Sequence, residues 1–101
     1  INEIIYASEI DFNFEKNNLN QVTLFPNPTD LNTEIHASLK EESEIEISIF
    51  DLLGKRMFYS INKYKKGALK QVLNIEHLLP GSYIIELKTK DELLHKNLIV
   101  K

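Results

Sequence analysis

The chain has 101 residues, a length that fits one compact domain and leaves no room for two full domains. Hydrophobic residues make up 43% and charged residues 27% of it, a globular balance that excludes a disordered tail. The formal net charge is -3 and cysteine is absent, which argues against general nucleic-acid binding and excludes disulfides, zinc-thiolate sites and thiol nucleophiles.

Residues 1–21 differ from the rest of the chain and are predicted to be a linker or the end of a preceding domain. Ile10, Phe12 and Phe14 alternate with polar residues, as in a strand, and a polar, Asn-rich stretch follows at 15–20. This strand either ends a preceding domain or pairs with an edge of the next one. The chain begins at Ile1 without an initiator Met, so we expect a fragment of a longer protein, with its folded domain at 22–101.

From about residue 22 onward, apolar residues recur with a period of two, which predicts β-strands. The pattern is clearest where isoleucines alternate with polar residues at 44–49. It recurs at 33–39, 56–61, 83–88 and 93–101, with a shorter strand around Leu73 and Ile75.

Turn residues separate these strands. Gly or Pro stands at 51–55, 65–67 and 79–82, and a charged turn at 90–92 closes the last hairpin. About seven short strands without a long helical segment predict an all-β fold, an immunoglobulin-like antiparallel β-sandwich.

No group of residues points to catalysis or to a metal site. His36, His77 and His95 lie far apart and have no partner at a metal-ligand spacing, and no serine lies in a nucleophile elbow. The acidic stretch Glu41–Glu46 fits a solvated strand face better than a calcium loop. We therefore expect no enzyme activity, catalytic residue, metal or cofactor. The longest apolar runs are far shorter than the roughly 20 residues that span a membrane, so no integral membrane segment is expected either.

One unusual stretch is Phe25–Pro28. Pro26 and Pro28 lack an amide hydrogen, and each restricts the residue before it, Phe25 or Asn27, to extended geometry. The segment is therefore stiff. It either ends an edge strand and discourages pairing between sheets, or it carries a function of its own.

The other unusual stretch is the end of the chain. Leu94, Lys96, Leu98 and Val100 share one face of a predicted strand that runs to Lys101. This strand either completes the core or offers a sheet edge that a receptor reads by strand addition.

The chain from about Val22 to Lys101 resembles the type A C-terminal sorting domain of the type IX secretion system. The resemblance rests on four stretches in the order Phe25–Pro28, Ile47–Lys55, Leu79–Tyr83 and Lys96–Lys101. Each stretch is weak alone, but their order and spacing make the resemblance specific.

The resemblance implies a non-catalytic export signal of Gram-negative bacteria that passes through the periplasm and reaches the cell surface or the medium. The implied partners are the type IX translocon and its shuttle components, an N-terminal cargo domain, and a sortase-like signal peptidase that removes the signal and attaches the cargo to the surface. Carried over by position, the N-terminal motif comprises Pro26, Asn27 and Pro28. The implied translocon-recognition residues are Gly81, Tyr83, Lys96, Leu98, Val100 and Lys101.

Physical chemistry separates these residues into two groups. Gly81 adopts backbone geometries closed to other residues, and Tyr83 combines an apolar ring with a polar tip, so we expect both to serve the fold first. Exposed lysines contribute little to stability, so Lys96 and Lys101 are better explained by recognition.

The alternative function is a retained structural or adhesive module, for example a carbohydrate-binding one, because sandwiches of this outline host many binding functions. Sugar binding favours an exposed aromatic platform, and the absence of tryptophan counts against it. The candidate aromatic residues would be Tyr6, Tyr59 and Tyr64.

Overall fold

A computed structural model describes residues 18–101, which form two antiparallel β-sheets around one apolar core. The strands are β1 (Leu19–Phe25), β2 (Asn32–Leu39), β3 (Ser43–Asp51), β4 (Arg56–Tyr64), β5 (Gly67–Asn74), β6 (Gly81–Lys88) and β7 (Leu93–Val100). One sheet has the order β1-β2-β5 and the other β4-β3-β6-β7. The predicted immunoglobulin-like sandwich of about seven antiparallel strands is confirmed.

The core consists of the alternate residues that the period-two pattern points inward. Ile45, Ile47 and Ile49 of β3 are almost completely buried, and Ile85 of the neighbouring β6 is fully buried. β2 contributes Ile35 from the facing sheet. The glutamates of β3 lie on the other face, so the period-two pattern defines both the inner and the outer face of this strand.

Two strands are longer than the pattern predicts. β4 continues to Tyr64, beyond the expected stretch 56–61, and β5 covers Gly67–Asn74 rather than a short strand around Leu73 and Ile75. Both are edge strands of their sheets. Many of their side chains remain exposed, which weakens the alternation on which the prediction depended.

The first strand begins at Leu19, before the expected start of the sandwich at residue 22. Leu19 is 3% exposed, and its amide donates to both carboxylate oxygens of Glu92 at 3.2 Å. Asn18 bonds Glu41 through its side chain, with Glu41 N donating to Oδ1 at 2.7 Å and Nδ2 donating to Glu41 O at 3.2 Å. Part of the expected linker therefore belongs to the sandwich. The strand predicted around Ile10–Phe14 lies outside the described residues.

The loops gather at the two ends of the sandwich. One end, which we call the leucine end, carries the loops 26–31, 51–55 and 75–80 and the last residues of β7. The opposite end, which we call the charged end, carries the loops 40–42, 65–66 and 89–92 and the start of β1. Most of the unusual stretches of the sequence lie at the leucine end, among them Phe25–Pro28 and the end of β7.

Candidate functional site

The fold brings together the two unusual stretches of the sequence. The segment Pro26–Thr29 lies along the outer edge of β7, where Thr29 forms a parallel bridge with Val100. Asn27 and Asn97, which bond each other in this contact, are 70 positions apart in the chain. The proline segment and the last strand therefore form one structural site.

The side chain of Asn27 takes the place of a backbone peptide group in this contact. Its Nδ2 donates to the carbonyl oxygen of Asn97 at 2.8 Å, and its Oδ1 accepts from the amide of Ile99 at 3.0 Å. The flanking residues Pro26 and Pro28 have no amide hydrogen to offer a neighbouring strand. The carboxamide of Asn27 supplies the donor and the acceptor that β7 requires at this point.

Thr29 continues the pairing through its backbone. Its amide donates to Ile99 O at 2.9 Å, and its carbonyl accepts from Lys101 N at 2.7 Å. The Thr29 hydroxyl, which is buried, donates to the carbonyl of Asn32, and the Thr33 hydroxyl donates to Pro26 O at 2.8 Å. These bonds hold the segment against both β2 and β7. Nothing in the sequence marks Thr29 for this contact, which depends on the order of the strands.

The predicted recognition residues of β7 differ in accessibility. Leu98 is completely buried and Val100 is 3% exposed, so both side chains belong to the core. Lys96 lies on the same face of the strand pattern as Leu98 and Val100, and it pairs with Ile85 of β6, but its side chain is exposed. Lys101 follows the end of β7 and is also exposed. In the folded domain a partner can touch the two lysines directly but not the side chains of Leu98 and Val100.

Among residues 18–101, part of the outer edge of β7 has no neighbouring strand. Asn27 and Thr29 cover the edge from Asn97 to Lys101, whereas no strand within residues 18–101 covers it from Leu93 to His95. An edge strand with unpaired peptide groups can accept an added strand. An exposed lysine in the middle of such a strand limits unspecific pairing between sheets.

Gly81 and Tyr83 lie at the start of β6, beside the end of β7. Gly81 pairs with Val100 and has a φ of +152°, a backbone conformation that residues other than glycine rarely adopt. Tyr83 pairs with Leu98, is 7% exposed, and donates its hydroxyl to the carbonyl of Leu79 at 2.6 Å. Both residues therefore contribute to the structure around the last strand.

The other candidate side chains do not assemble into a reactive site. His36 bonds Glu34 at 2.8 Å, and this hydrogen bond is the main reason why the pKa of the Glu34 carboxyl lies below its usual value. His95 bonds Glu86 at 3.1 Å on the other sheet. Within residues 18–101, no three His, Asp or Glu side chains come together in an arrangement that could hold a metal ion.

The aromatic residues considered for sugar binding are engaged with other side chains. The Arg56 guanidinium lies 4.6 Å from the Tyr59 ring centroid, and the Tyr59 hydroxyl donates to Glu46, a hydrogen bond that raises the pKa of Tyr59. The Tyr64 hydroxyl donates to Gln71 Oε1 at 2.6 Å. Tyr6 lies outside the part of the chain that the structure covers.

The described part of the chain contains no helix with the length and apolar character that crossing a membrane requires. The fold and the site together define a small β-sandwich module whose accessible features are a strand edge and loops. The model of the secretion system C-terminal sorting domain matches residues 23–101, and the chain belongs to this family. No curated protein matches the chain.

Membership confirms the resemblance to type IX sorting domains and gives the module a role. It is a C-terminal sorting signal of the type IX secretion system, which implies export across the outer membrane toward the cell surface or the medium. Such a role requires an interaction with the secretion system.

Proposed function

We propose that the sandwich, with its sorting domain at 22–101, is a non-catalytic label read in the periplasm by the type IX translocon and its shuttle components. The observation that carries this proposal is the joined site, in which Pro26–Thr29 holds the end of β7 while Lys96 and Lys101 stay accessible. The cargo domain precedes the sandwich in the chain.

Within this site the residues have different roles. Lys96 and Lys101 contact the translocon directly, because they are exposed and not needed by the core. Leu98 and Val100, with Gly81 and Tyr83 beside them, hold the strand in place.

Pro26, Asn27 and Pro28 hold the outer edge of β7 in place. Substituting these three residues would therefore weaken recognition indirectly, by displacing β7.

We further propose that a sortase-like signal peptidase cuts the chain before the sandwich and attaches the cargo to the cell surface. Asn18 and Leu19 are the first described residues that bond the sandwich, through Glu41 and Glu92. A cut on the N-terminal side of Asn18 therefore separates the cargo and leaves every described contact of the domain intact.

The test fuses the 101-residue chain to a reporter directed to the periplasm of a host with a working type IX translocon. Deleting Lys96–Lys101 would also remove the core residues Leu98 and Val100, so the informative variant is Lys96→Ala with Lys101→Ala. Lys65→Ala with Lys66→Ala, in the exposed turn between β4 and β5, removes the same charge and is the matched control.

We expect surface reporter from the parent and from the control. The Lys96 and Lys101 variant should lose about tenfold or more of it, since each charge-assisted contact contributes roughly 1.5 kcal/mol or more. A folded parent that stays in the periplasm would contradict the export function. An equal loss of surface reporter in both lysine variants would show that the translocon does not specifically recognise Lys96 and Lys101.

A further inference from the structure

The leucine end exposes several large apolar side chains. Leu31 is 56% exposed, Leu52 69%, Leu53 95% and Leu79 77%, and they lie on three separate loops at the same end of the sandwich. Single exposed leucines are common on protein surfaces, but several at the same end of a small domain indicate an interaction site.

These leucines lie on loops that are held by hydrogen bonds. Asp51 Oδ1 accepts from the amides of Leu53 and Lys55, each at 2.9 Å, which shapes the hairpin that carries Leu52 and Leu53. Gly54, with a φ of +89°, completes this turn.

The other two leucines are fixed through their carbonyl groups. The Tyr83 hydroxyl donates to Leu79 O at 2.6 Å, and the Ile75 amide donates to Leu31 O at 3.0 Å. Surfaces held in place before binding lose less conformational entropy on association, so a fixed apolar surface favours a specific partner.

The apolar surface continues toward the edge of β7. A groove of about 490 Å³ beside Leu52 is lined by Phe50, Ile84, His95 and Asn97. Asn97 is also the residue whose carbonyl bonds Asn27 in the joined site. A partner that reads the outer edge of β7 at Asn97 therefore also meets this groove and Leu52.

Charge at the leucine end favours a protein partner over a lipid surface. Its three loops and the end of β7 carry Asp30, Asp51 and Glu76 against Lys55 and Lys101. Loops that insert into an anionic leaflet combine apolar residues with an excess of lysine and arginine. No such excess is present here, so the leucines suit an apolar groove of a folded protein.

We propose that the exposed leucines of the leucine end, above all Leu52, Leu53 and Leu79, dock into an apolar groove on a protein component of the secretion apparatus. This inference rests on the proposed function and assigns it a second contact, distinct from the lysines. The lysines and the edge of β7 then provide polar recognition, while the leucines provide apolar contact area.

The test measures binding of the 101-residue chain to detergent-purified type IX translocon complex, together with export of the reporter fusion. The variant is Leu52→Ser with Leu53→Ser, and the matched control is Ile61→Ser with Val72→Ser, which removes two exposed apolar side chains elsewhere. We expect the leucine variant to lose about tenfold or more in both assays and the control to change by less than about twofold. Unchanged thermal melting of both variants verifies that the fold is intact.

Each contrary result points to a different conclusion. Normal export and binding of the leucine variant would overturn the docking site and leave the sorting function standing. A parent chain that neither binds the complex nor reaches the surface would overturn both. Leucine-dependent binding to vesicles of phosphatidylethanolamine and phosphatidylglycerol would assign the surface to lipid. Leucine-dependent dimers in sedimentation would assign it to a second copy of the chain.

A second variant tests whether the fixed position of Leu79 matters. Tyr83→Phe removes the hydroxyl that holds the Leu79 carbonyl but retains the buried ring. We expect translocon binding to weaken about threefold, with a rise in hydrogen exchange confined to 75–80. Unchanged binding together with faster exchange in this loop would contradict a role for preorganisation.

Discussion

The charged end and the leucine end are closed in a similar way but expose different side chains. Both must connect strands of two sheets and satisfy loop backbone groups, and both use an asparagine side chain to do so, Asn18 at the charged end and Asn27 at the leucine end. Their outer surfaces differ. Exposed charged residues cover the charged end, at positions Lys40, Glu41, Glu42, Lys65, Lys66, Lys90 and Asp91.

The difference shows which end the fold alone explains. Charged side chains keep a loop soluble at little cost in stability, so the charged end needs no function beyond closing the sandwich. Exposed leucines gain nothing from the folded state and increase the risk of aggregation. Their concentration beside the end of β7 is best explained by a partner that covers them.

The largest expected effect is a difference in stability between substitution of a buried leucine and substitution of an exposed leucine at the leucine end. Leu98→Ala should lower the free energy of unfolding by about 3 kcal/mol, since it leaves a cavity in the core, whereas Leu53→Ala should change it by less than about 0.5 kcal/mol. Urea unfolding of both variants measures the difference. A large loss for Leu53→Ala would mean that the exposed leucines serve stability and would remove the contrast between the ends.

A smaller effect separates the two asparagines. Asn27→Ala and Asn18→Ala each remove two hydrogen bonds to the backbone and should each cost about 1 kcal/mol. Native-state hydrogen exchange distinguishes them, because Asn27→Ala should expose the amide of Ile99 and Asn18→Ala that of Glu41. Faster exchange at Ile99 in the Asn18 variant would show that the two ends are coupled.

The smallest effect concerns Tyr64 at the charged end. Partial burial raises the pKa of its hydroxyl above the usual 10.0. Because the folded state holds this proton more tightly than the unfolded state, the contribution is fully present below pH 10 and is lost as the pH rises through the folded pKa. The free energy of unfolding should therefore fall more steeply above about pH 10 in the parent than in Tyr64→Phe. The same dependence of the free energy of unfolding on pH in the parent and in Tyr64→Phe would contradict a raised pKa of Tyr64.

The sequence predicted the strands best where one face is buried. Ile45, Ile47 and Ile49 alternate with polar residues because β3 lies in the middle of its sheet and packs on the core. The edge strands β4 and β5 were predicted too short, since their exposed faces tolerate apolar and polar residues alike. The start of β1 was placed too late because Asn18 and Asn20 are typical of linkers, and only the tertiary contacts with Lys40 and Glu41 show that Asn18 belongs to the fold.

The candidate site was predictable in part. Position in the chain pointed to Pro26–Pro28 and to the last strand, and alternation indicated that Leu98 and Val100 share a face. Their contact was not predictable, because the pairing of Asn27 with Asn97 and Ile99 depends on which strands form the edges of the two sheets. The groove beside Phe50 and Leu52 was not predictable for the same reason, because residues of different strands line it.

The sequence by itself determined the period-two strands, the turns, the inward residues and the family, since all of these depend on local chemistry or on motif order. Only the tertiary structure decided that Pro26–Thr29 pairs with the edge of β7, that Tyr83 holds Leu79, and that exposed leucines of three separate loops lie at one end. The physical reason is that a strand's inner face is set by its own alternation. What lies at its edge and beyond its ends depends on how distant parts of the chain are arranged in space.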